Sequence, residues 1–205
     1  MSNVVENKIN ISKGYPSLSE ARKLLDEGAL LNPGPWISHS ENVGLAAKLI
    51  ASHTKDLDPQ KAQILGILHD IGKRSEVCYI KHTYYGYHFL MDLGYKDAAR
   101  IALTHSFYSK KIDTFLGKFD ITEAEQKELQ NLLDNVTFDD YDRLIILCDG
   151  LALPDKLTTI EERANDIKLR YGHYQEERKD NLFEQKSYFE KKMNKDLYDV
   201  LNIKC

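Results

Sequence analysis

Apolar residues recur at three- and four-residue intervals along nearly the whole chain, and that single periodicity decides what it can fold into. Ser17 followed by Glu20 makes a capping box that predicts a helix over 17–30, which the NPGP run at 32–35 then breaks. Over 36–53, Val43, Ala46, Ala47 and Ile50 keep helical spacing, and Asp58-Pro59 supplies the N-cap and first turn of the next helix, ending near Gly72. The same reading predicts helices over 81–93, 97–108, 122–136 (capping box Thr122 with Glu125) and 139–153, and one or two charged amphipathic helices over 159–198. In that last stretch Leu169, Tyr174, Leu182, Phe183 and Phe189 are the apolar positions. Only 77–80 reads as a short β-like run, so an all-α fold is expected.

Composition narrows the function classes. A chain of 205 residues is one full-sized domain that buries enough surface to need no disulfide or metal scaffold, so a metal here would serve chemistry. Lys plus Arg number 28 against 32 for Asp plus Glu, a net charge of -4 that offers no whole-protein field for holding a nucleic acid polymer. Three cysteines, Cys78, Cys148 and Cys205, are odd in number and unpaired in spacing, which suits a reducing compartment. The N-terminal MSNVVENKINIS lacks the apolar run of a secretory signal, and no stretch approaches the ~18 to 20 apolar residues of a membrane span. A cytoplasmic protein without a membrane partner is expected.

Against this background the placement of ionisable residues is informative. His39 shares the stripe of Val43, Ala46, Ala47 and Ile50; Asp149 sits among Ile145, Ile146, Ala152 and Leu153. His105 lies on the face of Ala98, Ile101 and Ala102, and His82 aligns with Gly86, Phe89, Leu90 and Leu93. His69 and Asp70 follow directly on the apolar run ILGIL. A single inward His is commonly a satisfied core residue, but two unpaired buried aspartates would cost several kcal/mol each, a cost that a bound cation offsets. Imidazoles and carboxylates without thiolates suit a divalent transition ion such as iron, manganese, zinc or cobalt.

His39, the pair His69-Asp70 inside LHDIGK, and Asp149 inside ILCDGLALP together resemble the H…HD…D signature of the HD-domain superfamily of metal-dependent phosphohydrolases, over a core of about 36–153. KHTYYGYHFL and IALTHSF further resemble the branch of that family with two metals, at His82 and His105. The resemblance implies an HD-domain helical bundle on which the N-terminal helix 17–30 and additional C-terminal helices over 155–198 pack. It implies a first metal held by His39, His69, Asp70 and Asp149, with Asp70 bridging to a second held by His82 and His105. Ser106 stands where the cyclic-dinucleotide phosphodiesterases have a second consecutive histidine, and no extended GYP motif follows the HD helix, so that activity is disfavoured and the second ion is expected to be weaker or absent.

The expected function is metal-dependent hydrolysis of a phosphomonoester or phosphoanhydride in a small phosphorylated substrate, a nucleotide foremost, with one or two ions as cofactor. Asp70 would orient the nucleophile and Lys73 would hold a phosphate oxygen; the plainer reading of Lys73 is a helix C-terminal charge. The rivals are a metal- and nucleotide-binding sensor with little turnover, and a structural bundle with an internal hydrogen-bonded network. Tyr79, Tyr84, Tyr85, Tyr87 and Tyr108 form a possible base-stacking group, and Lys81, Lys110 and Lys111 a possible basic rim. His53, His88 and His173 read as a helix-end, a packing and a turn residue.

Overall fold

The computed structural model describes residues 14–204, so the N-terminal run read above for a signal and Cys205 lie outside the described residues. Among these, the chain forms α1 (Leu18–Leu31), α2 (Trp36–Ser52), α3 (Pro59–Leu68), α4 (Lys81–Asp92), α5 (Lys96–Thr104), α6 (Glu123–Asn135), α7 (Asp140–Asp149), α8 (Ile160–Tyr171), α9 (Glu176–Met193) and α10 (Leu197–Val200). Two short 3-10 turns, Ile71–Arg74 and Ile112–Thr114, interrupt the series. The fold is all-α: the described residues contain no strand, and their one isolated antiparallel bridge joins Ala152 to Leu157. The β-like run at 77–80 is a bent approach to α4, because Asp120 accepts the backbone N–H groups of Tyr79 (2.7 Å) and Lys81 (2.9 Å) and so caps that helix from a distant loop.

Helix starts follow the local chemistry. Capping boxes close at Ser17/Glu20 and Thr122/Glu125, and a third closes at Asp139/Asp142. Ends differ more. α5 stops at Thr104 and α7 at Asp149, four residues earlier than the periodicity suggests in each case, because the chain turns there to present His105 and Asp149.

Two close backbone approaches position the site. A Cβ on Gly66 would lie 2.7 Å from the Cα of Gly44, so only glycine at this pair lets α2 and α3 cross at this distance. A Cβ on Gly72 would overlap the carbonyl oxygen of His82, so the 3-10 turn presses directly on α4. Asn32 at the end of α1 donates to the Lys73 carbonyl at 2.7 Å, and Asn42 of α2 donates to the Leu153 carbonyl at 2.8 Å, tying the site's loops to the bundle.

The main core packs Val43, Ile50, Ile64, Leu65, Ile67, Leu68, Leu144 and Leu147, and a smaller cluster gathers Ile80, Leu103, Phe107, Leu129 and Leu133 beneath α6. The C-terminal segment, expected as one or two helices, forms three: it anchors Leu182, Phe189, Met193, Leu197 and Leu201 in the main core. Leu169 is not part of that apolar face. It is 88% exposed, because α8 turns the stripe of Arg163, Asp166, Ile167 and Arg170 towards a cavity instead. No described helix is long and apolar enough to cross a membrane.

Candidate metal centre

Each ionisable side chain read from the apolar stripes arrives on a different element. His39 comes from the first turn of α2, His69 from the C-cap of α3, Asp70 from the start of the following 3-10 turn, His82 from the first turn of α4, His105 from the C-cap of α5, and Asp149 from the last position of α7. His39, His69, Asp70, His82 and His105 are all buried, Asp70 at 1% exposure.

Asp70 is the hub. Its Oδ1 lies 3.2 Å from His82 Nε2 and 3.5 Å from His105 Nε2; its Oδ2 lies 3.5 Å from His69 Nε2, 3.9 Å from His39 Nε2 and 2.5 Å from the Lys73 ammonium. Two three-residue groups result, His39/His69/Asp70 and Asp70/His82/His105, each with ligand atoms mutually within 4.8 Å. Asp149 meets the first group through His39, its Oδ1 lying 3.0 Å from His39 Nε2. All seven expected site residues, Lys73 included, therefore come together. The 3-10 geometry stacks residues i and i+3, which puts Lys73 directly over Asp70.

The backbone sets the tautomers. Nδ1 of His69 lies 2.6 Å from the Gly66 carbonyl, that of His105 lies 3.0 Å from the Ala102 carbonyl, and that of His82 contacts the Tyr79 carbonyl. A carbonyl only accepts, so each Nδ1 carries the proton and each Nε2 offers a lone pair inward. The Nε2 atoms of His82 and His105 then face each other at 3.0 Å, both also facing Asp70 Oδ1, so the neutral tautomers present three acceptors to one point. His69 Nε2 is buried without a hydrogen-bond partner. Converging acceptors of this kind fit a cation.

Burial and nearby charge act on four of these groups. Burial pushes His69 down to about 4, and burial with the Lys73 charge pushes His82 down to about 3. Burial acts to raise Asp70 and Asp149, yet both are held well below the usual carboxylate range, Asp70 foremost by the Lys73 charge and Asp149 foremost by its hydrogen bond with His39, with Arg163 adding to it. Neutral His69 and His82 beside an ionised Asp70 suit a divalent ion.

The cluster opens into a cavity of about 380 Å³. Its wall includes Trp36, Tyr79, Phe115 and Tyr171 and the cations Lys73, Arg163, Arg170 and Arg178. The arginines were missed in sequence, where 159–198 reads only as charged amphipathic helices with none of its residues assigned to the site. The available signal was the i, i+3, i+4, i+7 stripe of Arg163, Asp166, Ile167 and Arg170.

Other expectations resolve differently. Of the five tyrosines expected to stack a base, Tyr79 alone is on the cavity wall; Tyr84 and Tyr85 donate to Glu128 (2.6 Å) and Glu125 (3.0 Å), and Tyr108 lies under Arg178. Lys81 pairs with Glu76 at 2.5 Å and Lys110 donates to the Val136 carbonyl at 2.5 Å, and neither these nor Lys111 is among the cavity's lining residues. His53 closes α2 with Nδ1 3.0 Å from the Leu49 carbonyl, His88 packs on Tyr84, and His173 follows the left-handed Gly172.

Comparison with known proteins gave no match among curated proteins and none among solved structures. A family model described as HD domain matches residues 36–152, which spans His39 to Asp149 and thus every element that brings one of these side chains to the cluster. With the match over more than half of the chain and the buried His/Asp groups in place, the chain belongs to the HD domain family, a family that includes metal-dependent hydrolases.

Proposed function

We propose that this chain is a metal-dependent phosphohydrolase of a small phosphorylated substrate, a nucleotide foremost, cleaving a phosphomonoester or phosphoanhydride. The observation that carries the reading is the convergence of His82 Nε2, His105 Nε2 and Asp70 Oδ1 at 3.0 to 3.5 Å, three acceptors facing one another when the rings are neutral. A purely structural network needs donors and acceptors in alternation, so this arrangement argues against that rival.

His39, His69, Asp70 and Asp149 would hold one divalent transition ion, and Asp70, His82 and His105 a second, with Asp70 common to both groups. Such ions supply a nucleophile at neutral pH and neutralise charge on the phosphoryl oxygens. The residues do the rest. The Nδ1 contacts of His69, His82 and His105 fix ring orientation before any ligand arrives, and the backbone carbonyls that accept them act as supporting partners. Asp70, ionised and within 2.5 Å of Lys73, orients the attacking group. Lys73, on the cavity wall, exchanges that carboxylate for a phosphate oxygen. The aromatic side chains of the same wall offer faces for a base.

The test is phosphate release from nucleotides and phosphosugars by chelated protein reloaded with manganese, cobalt, iron or zinc. Release that depends on added metal and disappears in Asp70→Ala supports the reading. Stoichiometric metal with no release from any substrate would favour the sensor instead.

A further inference from the structure

The part of the cavity wall that comes from α8 and α9 lies beyond residue 152, outside the family match, and it carries more positive charge than its own residues neutralise. Arg163 Nη1 and Arg170 Nη2 both reach the same Asp166 oxygen, at 2.9 and 2.7 Å, so one carboxylate serves two guanidinium groups. Arg178 has no carboxylate within 4.0 Å among the described residues. Its Nη2 donates only to neutral carbonyls, Ser106 at 2.6 Å and Thr114 at 3.5 Å, which fixes its position without cancelling its charge. The Nε groups of Arg163 and Arg178 are buried without partners. Arg170 is exposed and Arg163 has Asp149 as well as Asp166 within reach, but the half-buried Arg178 is left short of counter-charge, which is costly unless an anion joins it, and the planar forks of all three match phosphate oxygens. Arg163 also lies 3.9 Å from Asp149, and Arg178 donates to the carbonyl of Ser106 beside His105, so this cationic wall borders the His/Asp cluster.

Resting on the phosphohydrolase reading of the same cavity, we propose that Arg163, Arg170 and Arg178 form a second anion subsite and that the substrate carries a second phosphoryl group besides the one hydrolysed. The C-terminal helices thereby set specificity: the family core cleaves, and α8 and α9 select compounds phosphorylated twice.

Binding to the chelated full-length chain tests this without hydrolysis. AMP is titrated against ADP, and fructose 6-phosphate against fructose 1,6-bisphosphate, by calorimetry at low and high salt. The doubly phosphorylated member of at least one pair should bind tenfold or more tightly, with the ratio shrinking in salt. Arg178→Gln should bring that ratio below threefold while metal content by elemental analysis stays unchanged; Arg170→Gln, on a more exposed side chain, provides the same readout if the first variant folds poorly. Equal affinities within both pairs, or a ratio that survives both substitutions, would overturn the subsite. The two readings fail separately: a persistent ratio with no phosphate release from metal-loaded protein removes the hydrolase and leaves the subsite, whereas release with no preference does the reverse.

Discussion

Replacing Asp70 with asparagine keeps the side chain's shape and removes the charge and one ligand oxygen. Asp70 stands between two imidazole pairs, with His82 and His105 on Oδ1 and His39 and His69 on Oδ2. An amide must turn its NH2 towards one of those pairs, presenting hydrogens where lone pairs are needed. In the wild type, metal at about 100 times its dissociation constant stabilises the fold by about 2.7 kcal/mol. For a chain of 205 residues that corresponds to a rise in melting temperature of about 5–11 °C over chelated protein. Loss of a supporting partner alone weakens metal binding about 10- to 100-fold, so loss of a shared ligand costs at least the upper figure. The same metal concentration then stands near the new dissociation constant, and the stabilisation falls to about 0.4 kcal/mol, or about 1–2 °C. Differential scanning calorimetry with and without metal, each protein against its own chelated baseline, isolates this from any effect on folding. A variant whose metal-dependent rise stays above about 5 °C would refute the bridging role of Asp70.

His82→Ala should retain one metal equivalent by elemental analysis while phosphate release falls strongly; loss of every equivalent would show that the two groups do not bind independently. Asp142, wholly buried, accepts from Thr104 Oγ1 at 2.6 Å and from the Asp139 N–H at 2.7 Å and also pairs with Arg100. Asp142→Ala should therefore destabilise the chain by about 3–5 kcal/mol in urea unfolding, and a change under about 1 kcal/mol would contradict the geometry. The chelated protein should lose stability on acidification. His69 and His82 titrate near 6.5 when unfolded but at about 4 and about 3 when folded, so the unfolded chain binds more protons between these limits. Each imidazole contributes up to about 1.4 kcal/mol per pH unit in that window, and equal unfolding midpoints at pH 7.5 and pH 5 would argue against buried, neutral rings.

The helices themselves were legible because their signals are local. Ser17 with Glu20, Thr122 with Glu125, and Asp58 with Pro59 cap helices through hydrogen bonds spanning two or three residues, and apolar spacing marks the inward face. The clustering of the candidate residues was legible for the same reason: His39, His82, His105 and Asp149 occupy apolar stripes, where an ionisable group stands out. Distant partners were not. Nothing near Tyr79 announces that Asp120 caps α4, and nothing near Arg100 announces Asp142.

What the chain determined by itself was therefore the all-α class, the starts of the helices, and the polar residues that must turn inward. Tertiary structure alone decided the ligand geometry, since the contacts of Gly66 on Gly44 and of Gly72 on α4 bring five elements to one carboxylate. It also decided the second face of the cavity. The 161–195 stretch has the composition of a solvated surface, and only its docking through Leu182 and Phe189 turns Arg163, Arg170 and Arg178 towards the cluster. Helix periodicity follows from bonds a few residues apart, whereas the direction a charged face points depends on where the whole helix packs.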